Sequence, residues 1–243
     1  MQSCRLYLIS PPAIELPQFA EQLREAFSGG AVGAFQLRLK NSYNNLVIPA
    51  KAGILDSRQF SQERGGGNDN KVSDDEILKA AEVLIPICRE YDIAFILNDS
   101  PKLAKKCGAD GVHLGQDDGS VKAARKLLGD DMVIGVSCHD SKHLAMEAGE
   151  AGADYVAFGA FHPTTSKSVE ALAKYGTPTA EILSWWQEYM LLPCVAIGGI
   201  NASNCTPLVQ AGADFIAVIQ AVWDHPLGAK MAVKEFNEVI KNG

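Results

Sequence analysis

Eight short, uniformly apolar runs recur along the chain, and segments with helical hydrophobic spacing separate them. A strand with one face in water would alternate apolar and polar residues, so these runs predict strands buried on both faces of a parallel sheet. Eight strand-then-helix units in about 250 residues are typical of a (β/α)8 TIM barrel. We therefore predict an α/β barrel formed by a single domain over residues 1–243, with a doubly wound open sheet as the alternative. The predicted strands span residues 4–10, 34–40, 93–99, 111–115, 132–138, 155–161, 193–200 and 215–221.

The tripeptide Gly-Ala-Asp precedes three of these strands, beginning at Gly108, Gly152 and Gly212. A related sequence beginning at Gly30 precedes a fourth strand. Glycine suits the left-handed residue that ends a helix, and Ala-Asp turns the chain into the next strand. We therefore predict that the repeat forms turns at the N-terminal end of the barrel, which serves stability, and that it is not part of an active site.

Residues 41–73 separate the second predicted strand from the helix after it, where only a few residues are usual. The second half of this segment is rich in Gly, Asn, Asp and charged residues, which predicts a flexible loop. We interpret residues 41–73 as a tolerated surface insertion. An active-site lid is the alternative, because the segment follows the C-terminal end of a strand.

Charge and composition exclude several function classes. A net charge of −7 and a pI near 5.3 argue against a nucleic-acid or anionic-membrane surface, which needs clustered Lys and Arg. The first apolar run is too short for a signal peptide, and no later run approaches ~18 apolar residues. The six cysteines are scattered without zinc spacing, so reduced thiols and a cytoplasmic location are expected.

Charged side chains follow several predicted strands at the C-terminal rim, where a barrel of this type builds its active site. Three cations, Arg38, Lys40 and Lys167, come with the carboxylates Asp99 and Asp118. Arg and Lys bind phosphate oxygens, and Mg²⁺ prefers one or two carboxylates together with substrate phosphates. The rim therefore predicts a diphosphate site with a divalent cation.

A second phosphate site is predicted on the other side of the rim. Gly198-Gly199 follows the seventh strand, and the end of the eighth strand lies next to it in a closed barrel. Barrels of this type commonly bind a phosphate there through backbone N–H groups. The rim thus suits a diphosphate at one side and a monophosphate at the other.

Structural roles are also open for the same residues. Asp99 could cap the helix that begins near Ser100, and Asp117 or Asp118 could cap the one near Ser120. His113 lies inside a buried strand, which favours a hydrogen-bonded core histidine. For His139, a general acid or base and a helix-entry residue are equally open.

The ordered series Q-L-R-L-K, N-D, G-V-H-L-G-Q-D-D, G-V-S-C-H, P-T-T-S-K and A-I-G-G-I-N resembles the thiamine phosphate synthase family and its relative, the thiazole tautomerase. The resemblance covers nearly the whole chain except residues 41–73. It implies a Mg²⁺-dependent transferase that joins a hydroxymethylpyrimidine diphosphate to a thiazole phosphate, giving thiamine phosphate and pyrophosphate. The implied partners are these small molecules, without nucleic acid or membrane, and a homo-oligomer is left open.

The resemblance also implies a role for each matching position. Asp99 and Asp118 correspond to the magnesium ligands. The pyrimidine diphosphate would be bound by Gln36, Arg38, Lys40, Asn98, Ser137 and Lys167. The expected catalytic group within that set is Arg38, Lys40, Ser137 and Lys167. The thiazole-phosphate side would comprise Thr164, Ser166, Gly199, Ile219 and Gln220, the last replacing the serine usual in the family.

Two alternative functions follow from the same resemblance. A thiazole tautomerase would isomerise the thiazole phosphate by proton transfer, with His139 as the acid-base group. A catalytically inactive barrel would only bind a phosphorylated thiamine precursor, and Gln220 together with the insertion favours that alternative. The cations and the two carboxylates favour the transferase, because a tautomerase has no diphosphate to bind.

Overall fold

The computed structural model describes residues 4–40, 72–164 and 176–243. Its eight strands are all parallel and close into a barrel in chain order, each hydrogen-bonded to the next and the last to the first. The closed barrel confirms the predicted fold and excludes the open sheet. The strands are β1 (Arg5–Ile9), β2 (Val32–Leu37), β3 (Ala94–Asn98), β4 (Gly111–Leu114), β5 (Val133–His139), β6 (Tyr155–Phe158), β7 (Cys194–Ile197) and β8 (Phe215–Val218).

Helices alternate with the strands in the described ranges. None of them is both long and apolar enough to cross a membrane. They are α1 (Leu16–Phe27), α2 (Asp74–Glu90), α3 (Pro101–Cys107), α4 (Val121–Leu128), α5 (Lys142–Glu150), α6 (Glu181–Tyr189), α7 (Thr206–Gln210), α8 (Gln220–Trp223) and α9 (Ala229–Asn242).

The predicted strands were drawn too long at several C-terminal ends. The prediction for the second strand ran to Lys40, whereas β2 ends at Leu37. The prediction for the eighth strand ran to residue 221, whereas β8 ends at Val218 and α8 begins at Gln220. At β8 a short apolar run has no period that separates a buried strand from the helix after it. After β2 the backbone N–H groups of Arg38 and Lys40 donate to Ser10 Oγ and Pro12 O, so these residues are extended without being part of the strand.

Apolar side chains form two layers of core. One layer lies between the strands and the surrounding helices, and it includes the fully buried Trp186, Phe35 and Phe158. The second layer fills the inside of the barrel. Its buried members are Tyr7, Ile9, Ala34, Ile96, Tyr155, Ala157, Val195 and Ala217. The barrel is therefore a packed core, and only its ends can hold a ligand.

The three Gly-Ala-Asp repeats form the same turn. Gly108, Gly152 and Gly212 have φ angles of 69°, 97° and 95°, in the left-handed region that favours glycine. Each aspartate that follows accepts a hydrogen bond, through its carboxylate, from a backbone N–H at the start of the preceding strand. The pairs are Asp110 with Phe95 (2.7 Å), Asp154 with Ile134 (2.7 Å) and Asp214 with Cys194 (2.8 Å). The turns thus also join neighbouring strands at the N-terminal end of the barrel.

Candidate active site

A cavity of about 480 Å³ opens at the C-terminal ends of the strands. One wall comes from the ends of β2 to β5, and the other comes from the segment after β6 and from the ends of β7 and β8. The predicted site residues that line it are Gln36, Arg38, Asn98, Ser137, Thr164, Gly199, Ile219 and Gln220. The structure thus brings eight of the eleven predicted substrate-binding residues to one cavity.

A groove of about 590 Å³ adjoins this cavity, and Asn98 lines both. Lys40, Asp99 and Asp118 line the groove. The predicted residues Ser166 and Lys167 lie outside the described residues, as does most of the predicted insertion, residues 41–71. Asp99 and Asp118, the predicted magnesium ligands, therefore lie next to the cavity, in the groove that Lys40 also lines.

Ser10 holds the end of β2 in place. Its backbone N–H donates to Gln36 O (2.9 Å), and its hydroxyl accepts from the N–H of Arg38 (2.9 Å). The N–H of Lys40 then donates to Pro12 O (3.0 Å). Extended spacing thus continues past the last strand residue, which carries Arg38 and Lys40 to the rim. Ser10 is a fully buried residue directly after β1, and nothing in the local sequence pattern marks this supporting role.

Asp99 directly follows β3 in a left-handed conformation, with a φ of 68°. This region is unfavourable for a residue with a Cβ, and such strain is found most often at functional sites. One carboxylate oxygen of Asp99 forms an ion pair with Lys40 Nζ. The other accepts from the side-chain amide of Asn98 (2.5 Å). Two of the six residues predicted to bind the pyrimidine diphosphate, Lys40 and Asn98, therefore orient this carboxylate.

Asp118 faces Asp99. Its Oδ2 accepts from the N–H of Gly115 (2.7 Å). Partial desolvation raises the pKa of Asp118, and the Asp99 carboxylate raises it further, against the lowering effects of the Gly115 N–H and of Lys40. Two carboxylates that follow neighbouring strands, β3 and β4, therefore lie close together at the rim.

The donor set fits Mg²⁺. The described residues contain no group of three or more His, Cys, Asp or Glu side chains that could enclose a metal. A pair of carboxylates is nevertheless enough for Mg²⁺, which keeps several waters and binds substrate phosphates. A divalent cation would also relieve the repulsion between Asp99 and Asp118.

Serines, not these aspartates, cap the nearby helices. The Ser100 hydroxyl accepts from the N–H of Leu103 at the start of α3, and the Ser120 hydroxyl accepts from Ala123 at the start of α4. The alternative capping roles of Asp99, Asp117 and Asp118 were therefore wrong. The carboxylates of Asp99 and Asp118 remain at the rim.

Arg38 supplies a partly buried cation to the cavity. Burial lowers the pKa of its guanidinium, and the nearby Asp99 carboxylate acts in the opposite direction. Arginine keeps its proton in proteins, so the cation persists at neutral pH. A cation with little water around it interacts more strongly with a phosphate than a fully hydrated one does.

Two consecutive glycines form the turn after β7. Gly198 and Gly199 have φ angles of 103° and 63°. A Cβ on Gly198 would lie 2.4 Å from the Cβ of Ala160, and one on Gly199 would lie 2.4 Å from Pro163 O. The turn therefore needs glycine for both conformation and space, and it presents backbone to the cavity, as anion-binding turns do.

The short helix α8 is held against β1 and α1. Trp223 Nε1 donates to Ile9 O (2.6 Å), and the Trp223 ring packs 4.9 Å from the ring of Phe19. This contact fixes Ile219 and Gln220 at the cavity, on the same wall as the glycine turn. Gln220, which by the resemblance stands where the family usually has serine, thus lines the predicted thiazole-phosphate side of the cavity.

The two histidines of the predicted site differ in position. His113 is 8% exposed and hydrogen-bonded on both ring nitrogens, which confirms the core role, and it also lines the cavity. His139 ends β5 with a φ of 54°, at an irregularity in the pairing with β6. Of the described residues, His139 is not among those that line the cavity.

The geometry agrees with comparisons to known proteins. The family model for thiamine monophosphate synthase matches residues 6–222. Thiamine-phosphate synthase of Rhodospirillum centenum is 48% identical over 241 residues, covering 99% of this chain and 100% of that protein. The enzyme of the same name from Erythrobacter litoralis is 46% identical over 238 residues, covering 97% and 95%.

A solved structure shows the same likeness. Thiamine phosphate pyrophosphorylase from Pyrococcus furiosus superposes with a TM-score of 0.75 at 29% identity, covering 99% of this chain and 97% of that one. The family match alone spans most of the chain and includes every described residue of the cavity. These findings confirm the resemblance expected from the sequence, and the chain belongs to the thiamine monophosphate synthase family.

Proposed function

We propose that this protein is a Mg²⁺-dependent transferase that joins 4-amino-2-methyl-5-hydroxymethylpyrimidine diphosphate to a thiazole phosphate. The products are thiamine phosphate and pyrophosphate. The observation that carries the proposal is the meeting of Asp99 and Asp118 beside Lys40, at the edge of a cavity that also holds Arg38 and the glycine turn. A diphosphate with a divalent cation fits one side of this site, and a monophosphate fits the other.

The reaction would be dissociative. The bond from the pyrimidine methylene to the diphosphate oxygen breaks, and its electron pair leaves with pyrophosphate. Arg38 and Lys40 stabilise the charge that develops on the leaving group, because their positive groups are already in place. The thiazole nitrogen then donates its lone pair to the methylene cation, and the new C–N bond completes thiamine phosphate.

Asp99 and Asp118 would hold Mg²⁺, which supplies further positive charge to the diphosphate when it is bound. No side-chain nucleophile is required by this reaction. By the family resemblance, Lys167 would add a third cation to the diphosphate side. Gln36, Asn98 and Ser137 would bind the pyrimidine portion, for which their places on one wall of the cavity are suited.

The thiazole phosphate would lie on the opposite wall. The turn at Gly198-Gly199 and the backbone at Ile219 and Gln220 face the cavity there. Thr164 lines the same side, and the resemblance adds Ser166. The two substrates would then meet over the middle of the cavity, which brings the thiazole nitrogen close to the reacting methylene.

The direct test measures pyrophosphate released by purified protein from the two substrates, with and without Mg²⁺. We expect release that depends on the metal and that falls by at least ~100-fold in Asp118→Asn, since one carboxylate ligand and its charge are lost. Asp117→Asn is the matched control. It removes the same charge from an exposed neighbour outside the groove lining, and we expect near-normal activity.

Other outcomes would assign the protein differently. Isomerisation of a thiazole phosphate without pyrophosphate release would show a tautomerase. Binding of thiazole phosphate without turnover of either kind would show an inactive barrel. Equal losses in Asp117→Asn and Asp118→Asn would reject the metal site at Asp118.

We also propose a cytoplasmic location with small molecules as the only ligands of this site. All six cysteines are unpaired, as expected of a protein in a reducing compartment. The net charge of −7 opposes nucleic-acid binding.

A further inference from the structure

A line of hydrogen-bonded side chains runs beneath the cavity and connects the β2 and β5 ends of one of its walls. Gln36 Nε2 donates to Tyr7 Oη (3.3 Å), and Tyr7 Oη lies 2.8 Å from Tyr155 Oη. Tyr155 Oη lies 2.9 Å from His113 Nδ1. The other nitrogen, His113 Nε2, lies 2.9 Å from Ser137 Oγ. Two expected substrate-binding residues, Gln36 and Ser137, are therefore the two ends of one chain.

The middle of this chain is rigid and closed to solvent. Tyr7 is 3% exposed, and Tyr155 and His113 are each 8% exposed. The Tyr155 ring stacks on His113 with centroids 5.6 Å apart, and it meets Tyr7 edge to face at 6.0 Å. A Cβ at Gly135 would lie 1.9 Å from the Tyr155 ring, so β5 carries glycine where that ring passes.

With the amide nitrogen of Gln36 at Tyr7 Oη, one direction of the chain gives the hydroxyl hydrogens of both Tyr7 and Tyr155 an acceptor. Tyr7 accepts from Gln36, so its own hydrogen goes to Tyr155, and Tyr155 in turn donates to His113 Nδ1. His113 then carries its ring hydrogen on Nε2 and donates it to Ser137 Oγ. The reverse order would bring two hydrogens to Tyr7 Oη. Its own hydrogen would then have no acceptor in the hydrogen-bonding network of the described residues, at a real cost in a buried site.

We propose that Tyr155 is a positioning residue that sets the hydrogen-bonding polarity of both Gln36 and Ser137. With Tyr155 between Tyr7 and His113, Gln36 presents its amide oxygen to the cavity as an acceptor. Ser137 already accepts from His113, so it presents its hydroxyl hydrogen as a donor. One buried hydroxyl thus gives the two ends of this wall, at Gln36 and at Ser137, opposite hydrogen-bonding polarity.

This inference rests on the proposed function for the identity of the ligand. An aminopyrimidine carries an amino donor beside a ring-nitrogen acceptor, which are the complements of an acceptor at Gln36 and a donor at Ser137. Buried groups whose hydrogen bonds are already directed lose little freedom on binding, so the ring is held in one orientation. A ring with the opposite pattern would face two mismatched groups.

The test is the tautomer of His113 in the ligand-free protein, read from nitrogen-15 NMR of the histidine rings and assigned by the signals lost in His113→Asn. We expect the Nε2–H form in the unsubstituted protein and a mixture of forms in Tyr155→Phe, which keeps the ring but loses the hydroxyl. In the same variant we expect kcat to fall about tenfold, as for the loss of one buried hydrogen bond, with less change in the KM of thiazole phosphate.

Two further variants separate the steps. Tyr7→Phe should keep the Nε2–H form, because Tyr155 still donates to His113, while kcat falls through the loss of Gln36 orientation. Tyr189→Phe removes a hydroxyl from a side chain that is 60% exposed and should change neither measurement.

The proposal is overturned by an Nδ1–H form of His113 in the unsubstituted protein, a result that needs no variant to fold. It is also overturned if Tyr155→Phe keeps a single Nε2–H form and normal kcat. The tautomer is measured without substrate, so an Nε2–H form in a protein that releases no pyrophosphate would reject the proposed function alone.

Discussion

Two partly buried arginines, Arg125 and Arg38, have different surroundings because they lie at opposite ends of the barrel. Arg125 is mostly buried near the turns at the N-terminal end, where it donates to Gly152 O, Gly129 O and Met132 O. Arg38 has the same chemistry but lies at the other end, beside a cavity and a carboxylate pair. A guanidinium can therefore hold loops together or receive a phosphate, and its neighbours decide which.

The form of the Arg38 cation leads to a prediction. Arg38→Lys keeps the charge but replaces a planar fork by a single ammonium group, so two-point binding of phosphate oxygens is lost. We expect the KM for the pyrimidine diphosphate to rise about tenfold, with little change in the KM for thiazole phosphate. Steady-state kinetics with each substrate varied in turn measure both.

Arg5→Lys is the matched control. Its guanidinium lies over the ring of Phe215, 4.9 Å from the centroid and at the N-terminal end of the barrel. Both KM values should be unchanged. Equal increases for both substrates in Arg38→Lys would argue against a contact specific to the diphosphate.

Strands and helices of this fold could be predicted where their own residues show a clear hydrophobic pattern. Parallel strands buried on both faces read as apolar runs, and all eight of them were found. The helix α8 was missed because its four residues are too few to show a helical period, and its position depends on the distant contact between Trp223 and Ile9. Element ends thus depend on tertiary contacts that a local pattern does not contain.

Helix α2 begins with reciprocal hydrogen bonds between its cap and its third residue. The Ser73 hydroxyl accepts from the N–H of Glu76, and the Glu76 carboxylate accepts from the N–H of Ser73. We expect Ser73→Ala to lower the free energy of unfolding by about 1 kcal/mol, as is usual for the loss of such a cap. Urea denaturation measures this change.

Ser184→Ala is the comparison within α6. Ser184 is an exposed position inside that helix, so the change should be neutral or slightly stabilising. If both alanine variants lose the same stability, the cap at Ser73 contributes nothing specific.

For the molecule as a whole, the charged residues at the rim could be predicted from the sequence, but the buried side chains that hold the site residues in place could not. Asp99, Asp118 and Arg38 could be found because a charged residue after an apolar strand is unusual and because the fold gathers strand ends on one rim. Ser10 and Tyr155 could not be found, since a serine or tyrosine within an apolar run looks like ordinary core. Their roles come from partners in other strands, 28 positions along the chain for Ser10 with Arg38 and 42 for Tyr155 with His113.

Buried thiols predict how the stability of the whole fold depends on pH. Burial raises the pKa of Cys138 and Cys194 from 9.0 to about 12. Folding therefore favours the neutral thiols, and this contribution is complete below pH 9.0 and is lost as pH rises toward about 12. We expect the free energy of unfolding to fall as the pH rises from about 9 to about 12, as urea denaturation would measure.

A double variant, Cys138→Val with Cys194→Val, tests the cause. Valine is close in size and does not ionise, so the decline with pH should become shallower even if the starting stability differs. A decline as steep as that of the unsubstituted protein would assign the effect to other groups, such as the buried tyrosines.

The carboxylates of the Gly-Ala-Asp turns hold the strands together at the end of the barrel that faces away from the cavity. The hydrogen bonds that join the strands through these carboxylates therefore lie at the N-terminal end of the barrel, and the candidate active site lies at the C-terminal end. Substitutions around Gln220, at the start of α8, should therefore alter the residues that face the predicted thiazole-phosphate side and leave intact the three carboxylate hydrogen bonds that join β3, β5 and β7 to the strands after them.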